Sequence, residues 1–132
     1  MIKDIFLEFQ SKFEFDVTIS TLIEKIEKAN WKVQITHDLQ QSLRNKGYEV
    51  PAVKIIELCN PDISHLILRR DDERIYSNLM PCRISVYKKS DGITYLSLMN
   101  AGVMASQIGG VVEEAMSKAF EESMVFVKEV TE

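Results

Sequence analysis

Apolar positions along this chain change period several times, and each change predicts an element. Ile2, Ile5, Phe6 and Phe9 recur at helical spacing, which predicts a short amphipathic helix over residues 2 to 11. Phe13, Phe15 and Val17 then alternate with Glu14 and Asp16, the pattern of a strand with one buried face. Thr18 or Ser20 can cap the next helix, since a hydroxyl there accepts from a free backbone amide. Ile19, Leu22, Ile23, Ile26 and Ala29 form its apolar stripe, and Asn30 ends it. Val33 and Ile35 alternate with Lys32, Gln34 and Thr36, a second strand that runs to His37.

Asp38 followed by Gln41 is a capping-box pattern, and Gly47 stops the short helix it starts. The β-branched run from Val53 to Cys59 predicts a third strand. Asn60-Pro61 opens another helix, with Asn as the cap and Pro at the first helical position; Ile63, Leu66 and Ile67 supply its apolar side. The charge run from Arg69 to Arg74 reads as a solvated, mobile loop. Cys82 to Lys89 is a fourth strand, Ser90-Asp91-Gly92 a hairpin turn and Thr94 to Met99 a fifth strand. Asn100 to Gln107 reads as irregular. From Ile108 to Val130 one apolar face persists, so a long helix closes the chain.

Without the short helices the order is β-α-β-β-β-β-α. Its simplest assembly is an α+β fold: an antiparallel five-stranded sheet with the long helices on one face. Residues 1–12 are then an N-terminal helical extension, and 13–132 a single domain.

Length and composition narrow the function classes. The 132 residues are 45% hydrophobic and 27% charged, ordinary for a soluble domain with a proper core. A net charge of -4 argues against a nucleic-acid partner, whose affinity comes from Lys and Arg neutralising phosphates. No run approaches the roughly 18 apolar residues of a membrane span. The N-terminus carries acids within its apolar stretch and lacks a small-residue cleavage site, unlike a signal peptide. Two cysteines do not make a disulfide scaffold, so the expected compartment is the reducing cytoplasm.

One stretch carries a more particular signal. Cys59-Asn60-Pro61 follows a strand. A short helix comes next, and then Leu79-Met80-Pro81-Cys82-Arg83-Ile84-Ser85-Val86-Tyr87. This pairing of Cys-Asn-Pro with Pro-Cys resembles the domain-of-unknown-function 302 family, and the Asp91-Gly92 hairpin fits it too. Asn30-Trp31 stands where that family usually has a Gly-aromatic pair. The resemblance covers most of residues 13 to 130. It implies a fold similar to the TATA-binding-protein-like class and a homodimer, and no established activity.

The same stretch holds the candidate chemistry. If strands three and four are antiparallel neighbours, Cys59 and Cys82 lie at one sheet edge despite the 22 residues between them. Cys59 also precedes a helix start, whose partial positive charge favours a thiolate. A reactive thiol, a redox pair or plain packing all fit, since free cysteine is among the most buried residue types. Two sulfurs and His65 fall short of the four ligands of a structural zinc site, so no metal is assigned. The free N–H groups of the helix that Asn60-Pro61 opens could receive an anion, or the pair could simply start the helix. Pro81 suits the first residue of a strand. His37 lies at the other edge, with a local hydrogen bond near the Asp38 cap as its expected role.

The sheet's two faces differ as well. If Val33, Ile35, Ile84, Val86, Leu96 and Leu98 face the helices, then Thr36, Arg83, Ser85, Tyr87, Tyr95, Ser97 and Met99 share the other face. That mixture is neither a core nor a charged solvent face. Tyr87, Tyr95, Met99, Ser85 and Ser97 therefore form a candidate dimer surface. No catalytic constellation and no cofactor motif stands out; Gly109-Gly110 lacks the partners of a phosphate loop.

These residues lead to one expectation and an alternative. The expectation is a small ligand-binding or accessory domain, more binding module than enzyme, with its small-molecule site at Cys59, Asn60, Pro61, Pro81, Cys82, Arg83 and His65. The alternative is a thiol-dependent redox or sulfur-carrier protein using Cys59 and Cys82.

Overall fold

The first strand of the fold lies where helical spacing predicted a helix. The computed structural model describes residues 5–132, so Ile2 lies outside the described residues. Phe6–Gln10 forms β1, paired antiparallel with the last strand from Phe6↔Met99 to Gln10↔Tyr95. The segment is apolar at both the helical and the two-residue period. Pairing decides between them: as a strand it sets Leu7 and Phe9 against the core and turns Glu8 and Gln10 outward. Residues 6–10 are thus an edge strand of the sheet and not a helical extension.

The strand expected over Phe13 to Val17 is likewise a helix start. Helix α1 spans Phe15–Lys28, and its cap is Glu14, whose carboxylate accepts from the Val17 amide at 3.0 Å. Phe15, Ile19, Leu22 and Ile26 make its buried stripe. Thr18, expected as a cap, is buried instead, its hydroxyl 2.6 Å from that of Ser11. Asn30 closes the helix in the left-handed region, at φ 64°. There the Trp31 amide donates to Ile26 O at 3.2 Å and the Asn30 amide to Glu27 O at 3.1 Å. Glycine adopts this conformation most easily and asparagine next, which accounts for Asn30 at this position.

Strand β2 (Lys32–Asp38) leads into α2 (Leu39–Arg44), capped by Asp38 as the sequence predicts. Strand β3 is Val53–Cys59, and α3 is Pro61–Leu68 with Asn60 as its cap. The charge run is not a plain loop. It feeds a 3-10 helix, Asp72–Leu79, and Arg74 Nη1 pairs with Asp71 Oδ1 at 2.7 Å. Strands β4 (Cys82–Lys88) and β5 (Thr94–Met99) form the expected hairpin. The segment read as irregular contains α4 (Ala101–Ala105), and α5 (Gly110–Thr131) is the long closing helix.

The sheet order is β1-β5-β4-β3-β2, antiparallel throughout. Helices α1, α3 and α5 cover one face. Ile56, Leu58, Ile84, Val86, Leu96 and Leu98 point into that layer and meet Leu22, Ile26, Val112, Met116 and Val127. Trp31 closes one end edge-on to Phe126, its indole nitrogen donating to Glu122 Oε1 at 3.0 Å.

One assignment of faces is reversed. A register shift between Val33 and Thr36 puts Thr36 opposite the buried Ile56 and leaves Ile35 on the outside, 55% exposed. A bulge inserts one residue and flips every side chain beyond it, so strict alternation fails at this point.

Candidate functional site

The ladder between β4 and β5 stops early. It runs from Lys88↔Thr94 to Ser85↔Ser97 and goes no further. Beyond that point β4 stays with β3, down to Leu58↔Cys82, while β5 stays with β1, up to Phe6↔Met99. The sheet therefore forks, and residues 82–84 part from residues 98–99. A cavity of about 380 Å³ occupies the fork.

Its walls come from both sides of the sheet. Phe6, Ile55, Ser85, Ser97 and Met99 belong to the open face, and Arg83 stands beside them. Leu98, Met116, Phe120 and Ser123 belong to the helix layer. Asn78, Leu79 and Pro81 close one end, where the 3-10 helix turns into β4, and Ala101 of α4 closes another. The walls are mainly apolar, with a few polar groups converging, as in most small-molecule sites.

Of the residues expected from the sequence to form the ligand site, Pro81, Cys82 and Arg83 line this cavity, joined by Ser85, Ser97 and Met99 of the expected dimer surface. Cys59 and Asn60 do not. They line a neighbouring void of about 30 Å³, together with Pro81 and Cys82, which is the volume share of one water. Pro61 and His65 are exposed on α3 and stand apart from both spaces. The Met80–Pro81 peptide is cis.

The cysteines are free, and the pairing of Leu58 with Cys82 brings them to one sheet edge as expected. Cys59 Sγ lies 3.7 Å from Ser64 Oγ. Cys82 points into the helix layer, and burial, with a smaller push from Cys59, raises its thiol to about 11. It is therefore protonated at neutral pH. That counts against Cys82 as a nucleophile, since the thiolate is the reactive form.

Sequence reading missed the open-face partners. Glu57 is only 9% exposed, yet it lies on the outer face of β3. His37 Nε2 is 3.0 Å from its Oε1, and Arg83 Nη2 is 3.4 Å from its Oε2. His37 thus pairs across the sheet and not with its local cap. A lone acid in the apolar run Val53–Cys59 was the available signal. Phe6, Asn78, Met116, Phe120 and Ser123 were missed because only the fold brings them to the fork.

The tyrosines of the candidate dimer surface are tied into a second network. Tyr87 and Tyr95 stack with ring centroids 6.5 Å apart. The Tyr87 hydroxyl donates to Glu8 Oε2, and Lys89 Nζ donates to Glu8 Oε1 at 2.8 Å. Tyr95 donates to Asp91 Oδ2 at 2.7 Å, and Lys89 sits 4.3 Å from its ring centroid. The Lys89 and Tyr87 hydrogen bonds hold the Glu8 carboxyl below its usual range, while burial and Glu8 push Tyr87 up to about 12. This network fastens β1 to β4 across β5.

Comparison with solved structures and known families places the fold. The chain superposes on a crystal structure of an uncharacterized conserved DUF302 protein from Bacillus stearothermophilus with a TM-score of 0.85. That likeness covers 96% of this chain and 98% of the other at 16% sequence identity, a level that shows shared fold alone. No curated protein matches the sequence. Among the described residues no helix is long and apolar enough to cross a membrane. The family described as "Domain of unknown function DUF302" matches residues 7–126, which takes in most of the edge strand, the fork and most of the long helix, and the chain belongs to that family.

Proposed function

We propose that this chain is a small-molecule-binding domain whose site is the cleft at the β4–β5 fork. The cleft itself carries the reading. A volume near 380 Å³ lies within the range of ligand pockets, and its walls combine an apolar floor with a few polar groups. Strands that part inside a sheet also leave backbone groups without ladder partners, and a ligand can satisfy them. The site is displaced from the Cys59–Asn60 edge toward Arg83, Ser97 and Met99. Its protein is read as a homodimer joined through the open sheet face. Phe6 at 57% exposure and Ile35 at 55% are apolar residues that a second sheet would cover. Free cysteines fit a reducing cytoplasm.

Anilinonaphthalene sulfonate, an amphipathic probe of apolar clefts, tests the site by heteronuclear NMR. Binding should shift the amide signals of Cys82, Arg83, Ser97 and Met99. Ser85→Trp, which fills the cleft from the open face, should remove those shifts. Shifts that scatter over the helices, or that persist in Ser85→Trp, would remove the cleft as the site.

A further inference from the structure

We propose that the cleft at the fork takes a small amphipathic carboxylate, with the carboxylate on Arg83 and the apolar body between β5 and α5. This rests on the cleft being a binding site and adds the class of ligand.

Charge carries the first step. Among the described residues that line the cleft, Arg83 is the only charged one. A cation at the rim of apolar walls attracts one negative charge, because those walls exclude solvent on the side where a ligand would sit. The guanidinium is also under-used. Its ion pair with Glu57 Oε2 is 3.4 Å long, beyond the usual N–H···O distance, and its side chain remains 56% exposed. Glu57 does not line the cleft, and it is shared with His37 at 3.0 Å. It therefore steadies Arg83 at the rim while the rest of the planar fork stays available to an oxyanion.

Shape and chemistry narrow the anion. An arginine fork matches the two oxygens of a carboxylate and cancels its one charge. A phosphate monoester would bring nearly two charges to one cation. Beyond the rim the walls turn apolar, with Leu98, Met116 and Phe120. Ser97 on the open face and the buried Ser123 add only neutral groups. The volume equals roughly a dozen waters, room for an aromatic acid or a medium-chain fatty acid.

Calorimetric titration with octanoate, octanol and octylamine tests the assignment. Octanoate should bind at least tenfold more tightly than octanol, and octylamine more weakly than either. Affinity should climb about fourfold per methylene from butanoate to octanoate. Arg83→Gln should reduce octanoate to the level of octanol and leave octanol unchanged. Arg83→Lys, which keeps the charge beside Glu57 but loses the two-pronged fork, should bind octanoate more weakly than the parent and still more tightly than octanol. Equal binding of octanoate and octanol, or octanoate binding untouched by Arg83→Gln, would overturn the carboxylate while leaving the cleft as a site. Binding of none of the three would overturn both.

Discussion

Cys82 shows how a single position can read one way in the sequence and another in the fold. A cysteine beside a proline at a strand start, with a second cysteine near a helix start, invites a thiol reading. The side chain instead faces the helix layer, and burial raises its thiol to about 11. A raised thiol pKa stabilises the fold while the group stays protonated in the native state. That contribution is whole below the unfolded value near 9 and is lost as pH rises through about 11. Unfolding free energies from urea titrations at pH 7, 9 and 11 should therefore fall over the upper interval, by at most roughly 1.4 kcal/mol per pH unit from this group. Cys82→Ala should lack that share of the decline; an equal slope in both proteins would contradict the assignment. Tyr87, raised to about 12, acts in a higher window and is more open to solvent, so its share is smaller.

Among the elements, α4 and α5 approach closely at Gly102. A Cβ on Gly102 would meet Ser117 Oγ at 2.7 Å and Ser117 Cα at 3.3 Å. Gly102 holds ordinary helical backbone, so the reason for glycine here is close approach and not conformation. Gly102→Ala should cost about 1–3 kcal/mol in thermal or chemical unfolding, the usual range for an overfilled contact. Adding Ser117→Ala removes the nearest atom and should recover part of the loss. A single variant as stable as the parent would show that the two helices can move apart freely. The pair matters to the cleft, because Ala101 on α4 and Met116 on α5 both line it.

The described residues form one sheet with the long helices on one face, which leaves the other face to water or to a partner. Tyr87, Tyr95, Met99, Phe6 and Ile35 stand on that open side. If two copies meet there, Tyr87→Glu sets a second carboxylate beside Glu8 inside the interface. Light scattering should then give the mass of one chain for the variant and of two for the parent. A parent that already has the mass of one chain, or a variant that keeps the mass of two, would remove this surface as the interface.

Local signals carried much of the architecture. Strands β3, β4 and β5, the caps at Asp38 and Asn60, the Asp91-Gly92 turn and the long closing helix all follow from side-chain period and turn chemistry, which act over a few residues. The family resemblance was legible for the same reason, since Cys-Asn-Pro and Pro-Cys lie on those elements. Segments whose apolar residues satisfy two periods were left to tertiary pairing. Residues 6–10 became a strand because β5 needed an edge partner, and Phe15 became helical because Glu14 caps it. The bulge in β2 and the fork between β4 and β5 are departures from ideal pairing, which no short-range pattern encodes. The cysteine stretch marked the right end of the sheet. Long-range packing alone decided that the open space there lies on the Arg83 side of Cys82, between strands that the sequence would have kept together.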